Sequence, residues 1–168
     1  MNGWGIGMNV PDAFKDRVRP GTPQDAAWVA RHLRYDDLEE ILVGKDITAS
    51  RILMDAQKSS KECFVHLWKG RPSCIWGAVP TDHGACVWML GTDDLDFLAT
   101  DILRISTWFI AESLERYGFL YNWVDQRNTK SMRYLKHLGF IFGEPIDNHG
   151  HPFVPFWKKK ENEHGITD

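Results

Sequence analysis

Apolar residues recur with different periods in different stretches of this chain, and the changes of period mark its elements. Arg17-Val18-Arg19 reads as a short strand. Thr22-Pro23-Gln24-Asp25 then supplies an N-cap hydroxyl, a proline at the first helical position and an acid in the first turn, which together start a helix. That helix is predicted over 23–33, with Ala26, Val29, Ala30 and Leu33 facing inward. A second, short helix starts at Asp36-Asp37-Leu38-Glu39, where Asp36 caps and Glu39 reaches back, and it stops at Gly44. Ile52, Leu53 and Ala56 place a third over 48–58.

Past residue 62 the pattern turns strand-like. Runs at 63–68 and 73–79 flank Lys69-Gly70-Arg71-Pro72, a hairpin signal, and a third run at 85–90 follows Asp82-His83-Gly84. Three antiparallel strands in succession are predicted. Leu98, Ile102, Ile105, Phe109 and Leu114 then recur every three or four places, opposite Asp101, Arg104, Glu112 and Glu115. The stretch 97–117 is therefore the longest helix, closed by Gly118. A strand at 119–124, a helix at 129–138 capped by Asn128 and stopped by Gly139, and strands at 140–146 and 153–158 complete the order. A strand, a long helix and a further strand form a crossover that leaves the two strands parallel. The prediction is an α/β (α+β) domain, with a mixed, mostly antiparallel sheet of about seven strands and helices on both faces.

The length of 168 residues suits one domain. It is placed at 15–158, behind a Gly- and Asn-rich arm at 1–14 read as flexible and ahead of a charged tail at 159–168 read as frayed. Hydrophobic residues make up 43% and charged residues 26% of the chain, which excludes a disordered polymer. Lys and Arg number 20 against 23 Asp and Glu, so no cationic footprint for nucleic acid is indicated. No apolar run reaches the roughly 18 residues of a membrane span, and 1–10 lacks the charged start and apolar core of a secretory signal.

Cys63, Cys74 and Cys86 have no C-x-x-C spacing, which favours buried thiols over a disulfide framework or a zinc site. His149 and His151 flank Gly150 in a predicted turn and read as solvated, so no metal is expected. No Ser, Cys or Asp stands at a spacing from His66 or His83 that marks a nucleophilic triad. The eight tryptophans read mostly as core. Trp108 is the exception: it falls between Arg104 and Glu112 on the polar side of the long helix, as an exposed anchor for a partner would.

The element order, with Asn122-Trp123-Val124-Asp125 on a strand and then Asn128, Ser131, Leu135, Gly139 and Phe140, resembles the GNAT-type acyl-CoA N-acyltransferases. Val18-Arg19-Pro20, Leu33-Arg34 with Asp37 and Glu40, and Trp88-Met89-Leu90-Gly91-Thr92-Asp93 extend the resemblance over 17–157, toward the small GNAT-like proteins of tailed phages, internal virion proteins among them. The resemblance implies that fold, with acetyl-CoA in the splay between the fourth and fifth strands and its pyrophosphate on amides opening the long helix. It places cofactor contacts at Leu90, Gly91, Thr92, Asn128 and Ser131. It also implies a phage or host protein as partner, met through Trp108 and the N-terminal arm, in the host bacterial cytoplasm or the phage virion.

Two departures from the family bear on catalysis. Asp93, Asp94 and Asp96 stand where active members carry a basic, Gly-rich loop. They suit a helix cap and its dipole, and they repel a pyrophosphate unless Arg127, Lys130 or Arg133 neutralises it. The Tyr expected seven residues after the Asn is Leu135 here. Tyr134 sits one place earlier, about 100° around the helix, and is expected to pack with its hydroxyl at the surface. Tyr134 and Asp125 are the remaining candidates for proton transfer or substrate orientation. Two functions compete on this reading: acetyl transfer to an amine, weak or lost, and a non-catalytic virion or host-takeover scaffold.

Overall fold

The computed structural model describes residues 7–161. The start of the predicted arm, with Trp4, and the tail from 162 onward lie outside the described residues. Among these residues eight strands form one sheet: β1 (Val18–Pro20), β2 (Glu62–Trp68), β3 (Arg71–Thr81), β4 (Gly84–Gly91), β5 (Phe119–Asp125), β6 (Ile141–Phe142), β7 (Ile146–Asn148) and β8 (His151–Lys159). Their order across the sheet is β1-β2-β3-β4-β5-β8-β6, with β7 also on β8. The helices are α1 (Pro23–Arg31), α2 (Tyr35–Leu42), α3 (Ala49–Ser59), α4 (Leu95–Tyr117) and α5 (Thr129–His137). α4 is the predicted crossover, and the β4–β5 pair it joins is parallel while all other pairs are antiparallel.

Local chemistry explains most boundaries. Thr22 Oγ1 accepts from the Asp25 N–H at 3.2 Å, and Asp25 accepts from the Thr22 N–H at 2.9 Å, a reciprocal cap that starts α1. Thr48 caps α3 through the Arg51 N–H. Gly118, at φ +72°, ends α4 in a left-handed turn that a side chain would strain.

Where boundaries differ from expectation, three have a visible cause. α1 stops at Arg31, and Leu33 leaves it to bridge Thr92. α2 begins at Tyr35 with no side-chain cap, so the Asp36–Glu39 box does not form; both aspartates already lie inside the first turn. The strand predicted over 140–146 is broken into β6 and β7, because Pro145 has no N–H for a ladder and Gly143 bonds instead to the Pro155 carbonyl.

The larger core packs Leu98, Ile102, Ile105 and Phe109 of α4 against Trp76, Val87 and Leu120 of the sheet. On the opposite face, Ala26, Val29 and Leu53 of α1 and α3 cover Ile75 and Leu90. Helices thus cover both faces, as predicted.

Met8 and Phe14 are buried in the larger core, so the second half of the predicted arm is packed. Trp108 is accordingly no exposed anchor. Its ring lies 6.4 Å from Phe14, 5.5 Å from Phe64 and 6.3 Å from Phe109, since the N-terminal segment covers a side of α4 that helical periodicity alone leaves to solvent. At the other end, Lys159 closes β8 and the Lys160 N–H donates to Gly118 O at 2.9 Å, which carries the domain past 158.

One polar chain crosses this core. His66 is fully buried, with Nδ1 2.6 Å from Ser73 Oγ and Nε2 3.1 Å from Asp101 Oδ2, and Arg17 donates twice to Asp101 at 2.7 Å. Sequence spacing gives no sign of this Ser-His-Asp line, because its members come from β2, β3 and α4. Ser73 is itself fully buried, so the line joins elements and meets no substrate. The Arg17 guanidinium holds the Asp101 carboxyl below the ordinary carboxylate range.

Candidate functional site

β4 and β5 pair only at Ala85–Leu120 and Cys86–Tyr121. Beyond those positions each strand stays zipped to its other neighbour, β4 to β3 as far as Gly91 and β5 to β8 as far as Asp125. A gap must then open between them. Its apex is stitched by Asn122, whose side-chain amide donates to the Val87 carbonyl at 2.8 Å. In an antiparallel strand a residue's N–H and C=O face the same edge, and alternate residues face alternate edges. Val87 and Gly91 face the gap, so the Met89 N–H and C=O between them face it as well.

The wide end of the gap is bridged by the start of α2. Asp37 accepts from the Gly91 N–H at 3.0 Å and from the Asn128 side-chain amide at 3.2 Å. Arg34 Nε stands 3.0 Å from Asp37 without aiming its hydrogen at the carboxylate. A terminal nitrogen of Arg34 donates to Ser131 Oγ at 3.2 Å, and its backbone N–H donates to the Gly91 carbonyl at 3.0 Å. Three residues on from Asp37, Glu40 accepts from the Asp125 N–H at 2.8 Å. Positions three apart share one helix face, so α2 lays both carboxylates into the opening.

Burial sets the charges here. It pushes the Asp37 carboxyl up, against the opposing pull of Arg34, Gly91 and Asn128. It pushes Glu40 up to about 8, helped by the nearby Asp37 and Asp125. Burial acts on Asp125 too, but Arg127 donates to it from both backbone and guanidinium and holds its carboxyl below the ordinary range.

The turn that opens α4 is closed on itself. The N–H groups of Leu95, Asp96 and Phe97 donate to the carbonyls of Thr92, Asp93 and Asp94, and the Asp94 N–H donates to Thr92 Oγ1 at 3.3 Å. The expected aspartate cap is absent, for Asp94 sits at the N-cap position in helical conformation and makes no cap bond. Its carboxylate is instead paired with Arg71 at 2.9 Å, which lowers its pKa, and Asp96 pairs with Lys130 at 3.1 Å. Gly91 is required at the base of this turn, because a Cβ there would run into Leu95 and crowd Cys74.

Below the bridged end lies a cavity of about 510 Å³ reaching both faces of the sheet. Tyr134 lines it, its hydroxyl bonded to Ser106 Oγ and 4.0 Å from Met89 Sδ. That hydroxyl points into the gap and not to the surface as expected, and burial pushes its pKa up.

Solved structures of similar shape include the ribosomal-protein-alanine N-acetyltransferase of Brucella melitensis, with 13% identity and a TM-score of 0.64 over 85% of this chain and 99% of that one. yncA of Salmonella typhimurium, solved with its cofactor acetyl-CoA, has 13% identity and a TM-score of 0.65 over 90% of this chain and 96% of that one. An acetyltransferase of the GNAT family from Streptococcus pneumoniae has 14% identity and a TM-score of 0.53 over 84% and 97% of the two chains. The chain has the GNAT fold. No family model and no curated protein matches it.

Within this GNAT fold, Gly91, Thr92, Asn128 and Ser131 converge at the bridged end of the gap, and all but Thr92 bond directly to Asp37 or Arg34. Leu90 pairs in register with Ile75, and its side chain packs on the α1 and α3 side. Asp125 sits at the end of β5, engaged by Arg127. Among the described residues no group of His, Cys, Asp or Glu is arranged to hold a metal ion.

Proposed function

We propose that this protein is a GNAT-fold binding protein in which acetyl-CoA-dependent N-acyl transfer is weak or lost. One observation carries the reading: both gap-facing groups of Gly91 are engaged by the chain's own Asp37 and Arg34. A phosphate needs free N–H donors at a helix start, and here the amides of the α4 turn are satisfied internally. Asp94 and Asp96 of that turn are already paired with Arg71 and Lys130, and Arg127 with Asp125, so of the three cations named for neutralising a pyrophosphate Arg133 alone has no ion pair among the described residues. The pyrophosphate of acetyl-CoA does not fit this arrangement.

Calorimetry of the full chain with acetyl-CoA and with CoA tests the reading. No heat at millimolar ligand is expected; micromolar binding competed by CoA would overturn it. The enzyme reading is favoured by one feature, the Tyr134 hydroxyl inside the gap. On that reading acetyl-CoA binds, and Tyr134→Phe slows amine acetylation. The resemblance to small GNAT-like phage proteins supports a role as a virion or host-takeover scaffold that meets a phage or host protein. Mass spectrometry of purified particles and of infected-cell lysate tests that placement.

A further inference from the structure

α2 differs from α1 and α3, its companions on that face of the sheet, in what holds it down. α1 buries Ala26, Val29 and Ala30, and α3 buries Leu53, whereas the one buried residue of α2 is Asp37. Leu38, Ile41 and Leu42 are only half-buried, and Tyr35 is 72% exposed. The helix rests on the wide end of the gap through polar contacts, from Asp37 to Gly91 and Asn128 and from Glu40 to Asp125. We propose that α2 is a lid over the gap, latched by its two carboxyls and released when Glu40 gives up its proton.

Water can replace hydrogen bonds of this kind at small net cost, and segments with few buried apolar contacts open ahead of the rest of a domain. The flanks of α2 suit such a movement. Residues 44–48 beyond it are exposed throughout, and Gly44 turns the chain at φ +66°. The His149 ring lies against Gly44 so closely that a Cβ there would collide with it, which fixes the pivot. The inference goes beyond the binding-protein reading. The α4 turn is closed on itself by bonds in which α2 takes no part, so an open lid restores no seat for a pyrophosphate.

The groups facing Glu40 set its release. Asp37 on α2 and Asp125 on β5 repel a further negative charge, and Arg34 and Arg127, which oppose them, are tied to Asp37 and Asp125. Lys45 and Asp147 offset each other in the cavity lining, burial keeps Tyr134 neutral across the gap, and His151 of β8 acts on Asp125. With α2 closed, burial lifts the Glu40 carboxyl to about 8; with α2 open it returns to its ordinary 4.5. Opening therefore passes that proton to water between these values. The closed lid is held most firmly below about 4.5 and loosens as pH rises through about 8. Asp37, pushed up by burial as well, adds to the same slope.

Amide hydrogen exchange of the full chain, followed residue by residue by NMR, tests the lid. The Gly91 and Asp125 N–H groups are held by α2 carboxyls, whereas the adjacent Thr92 and Gln126 N–H groups are held by the Ser73 and Pro152 carbonyls. Gly91 and Asp125 should therefore exchange together and ahead of Thr92 and Gln126. Corrected for the intrinsic rate, their protection should fall by at least about tenfold from pH 5.5 to 7.5, while that of Thr92 and Gln126 holds. In Glu40→Gln the side-chain carbonyl still accepts from Asp125 but cannot ionise, and most of the fall should vanish. Should that variant not fold, the pH series on the parent decides by itself. Gly91 and Asp125 as slow as Thr92 and Gln126, protection that does not change with pH, or an equal fall in Glu40→Gln would overturn the inference. The two readings fail separately: micromolar binding of acetyl-CoA overturns the proposed function, whereas a Gly91 amide as slow as that of Thr92 overturns the lid alone.

Discussion

The two edges of β4 behave in opposite ways. Toward β3 the ladder runs unbroken from Gly84 to Gly91, and toward β5 it ends after Cys86. On the first edge backbone groups satisfy each other. On the second, groups from elsewhere in the chain must do so: the Asn122 side chain for Val87, and the Asp37 carboxylate with the Arg34 backbone N–H for Gly91. An unpaired strand edge inside a domain costs free energy at every open N–H and C=O, so the gap persists only where polar side chains are led into it. That requirement places carboxylates in a site whose fold relatives include one solved with an anionic cofactor.

The comparison is broken most directly at Asp37. Asp37→Ala leaves the Arg34 charge without its counterion and two donors without their acceptor in a buried place, and urea denaturation should show a loss of about 3–5 kcal/mol. A loss under about 1 kcal/mol would mean that the bridged end is held by something else. On the zipped edge, Ile75→Ala, in register with Leu90, should cost about 2–5 kcal/mol through the void it leaves. Unlike the Asp37 variant, it should leave any response to acetyl-CoA unchanged. Asn122→Ala removes the stitch at the apex and should cost about 1–3 kcal/mol, the range for a stranded buried acceptor. Arg71→Ala, which frees Asp94 at the exposed α4 start, should change stability by less than about 1 kcal/mol.

A last effect is a slope. Folding lifts Glu40 from its ordinary 4.5 to about 8, so the folded protein holds a proton that the unfolded chain has lost between those values. This contribution to stability is full below about 4.5, declines as pH rises and is lost through about 8. Melting temperatures from pH 5 to 8.5 should therefore fall less steeply in Glu40→Gln than in the parent.

Elements whose signals are local are legible in the amino-acid sequence alone. Thr22 and Asp25 cap α1 by themselves, and the apolar stripe of α4 announces its length and the crossover it makes. The site is legible only in part. Asn128 and Ser131 carry a recognisable spacing, whereas Asp37 and Glu40 enter the sequence reading only as positions of the resemblance, with no role attached, and only the tertiary placement of α2 brings them into the gap. Ser106 carries no signal at all, for nothing along α4 marks it as the partner of a tyrosine on α5. The expectation for Tyr134 fails for a related reason: helical rotation fixes a direction relative to α5, but what lies in that direction is set by the rest of the fold, which places Ser106 of α4 there. Trp108 shows the converse, a residue outward by periodicity that a neighbouring segment covers.

Arg17 sets where this domain can be cut. Its guanidinium ties the Ala13 carbonyl and Asp16 on one side to Asp101 on the other, and through Asp101 to His66. A chain trimmed to begin at β1 would lose Met8, Phe14 and this tether together. It would leave an acid and an imidazole beneath the sheet with no counterion, beside a newly wetted indole. Limited proteolysis should accordingly spare every peptide bond between Met8 and Arg17 for as long as the domain stays folded.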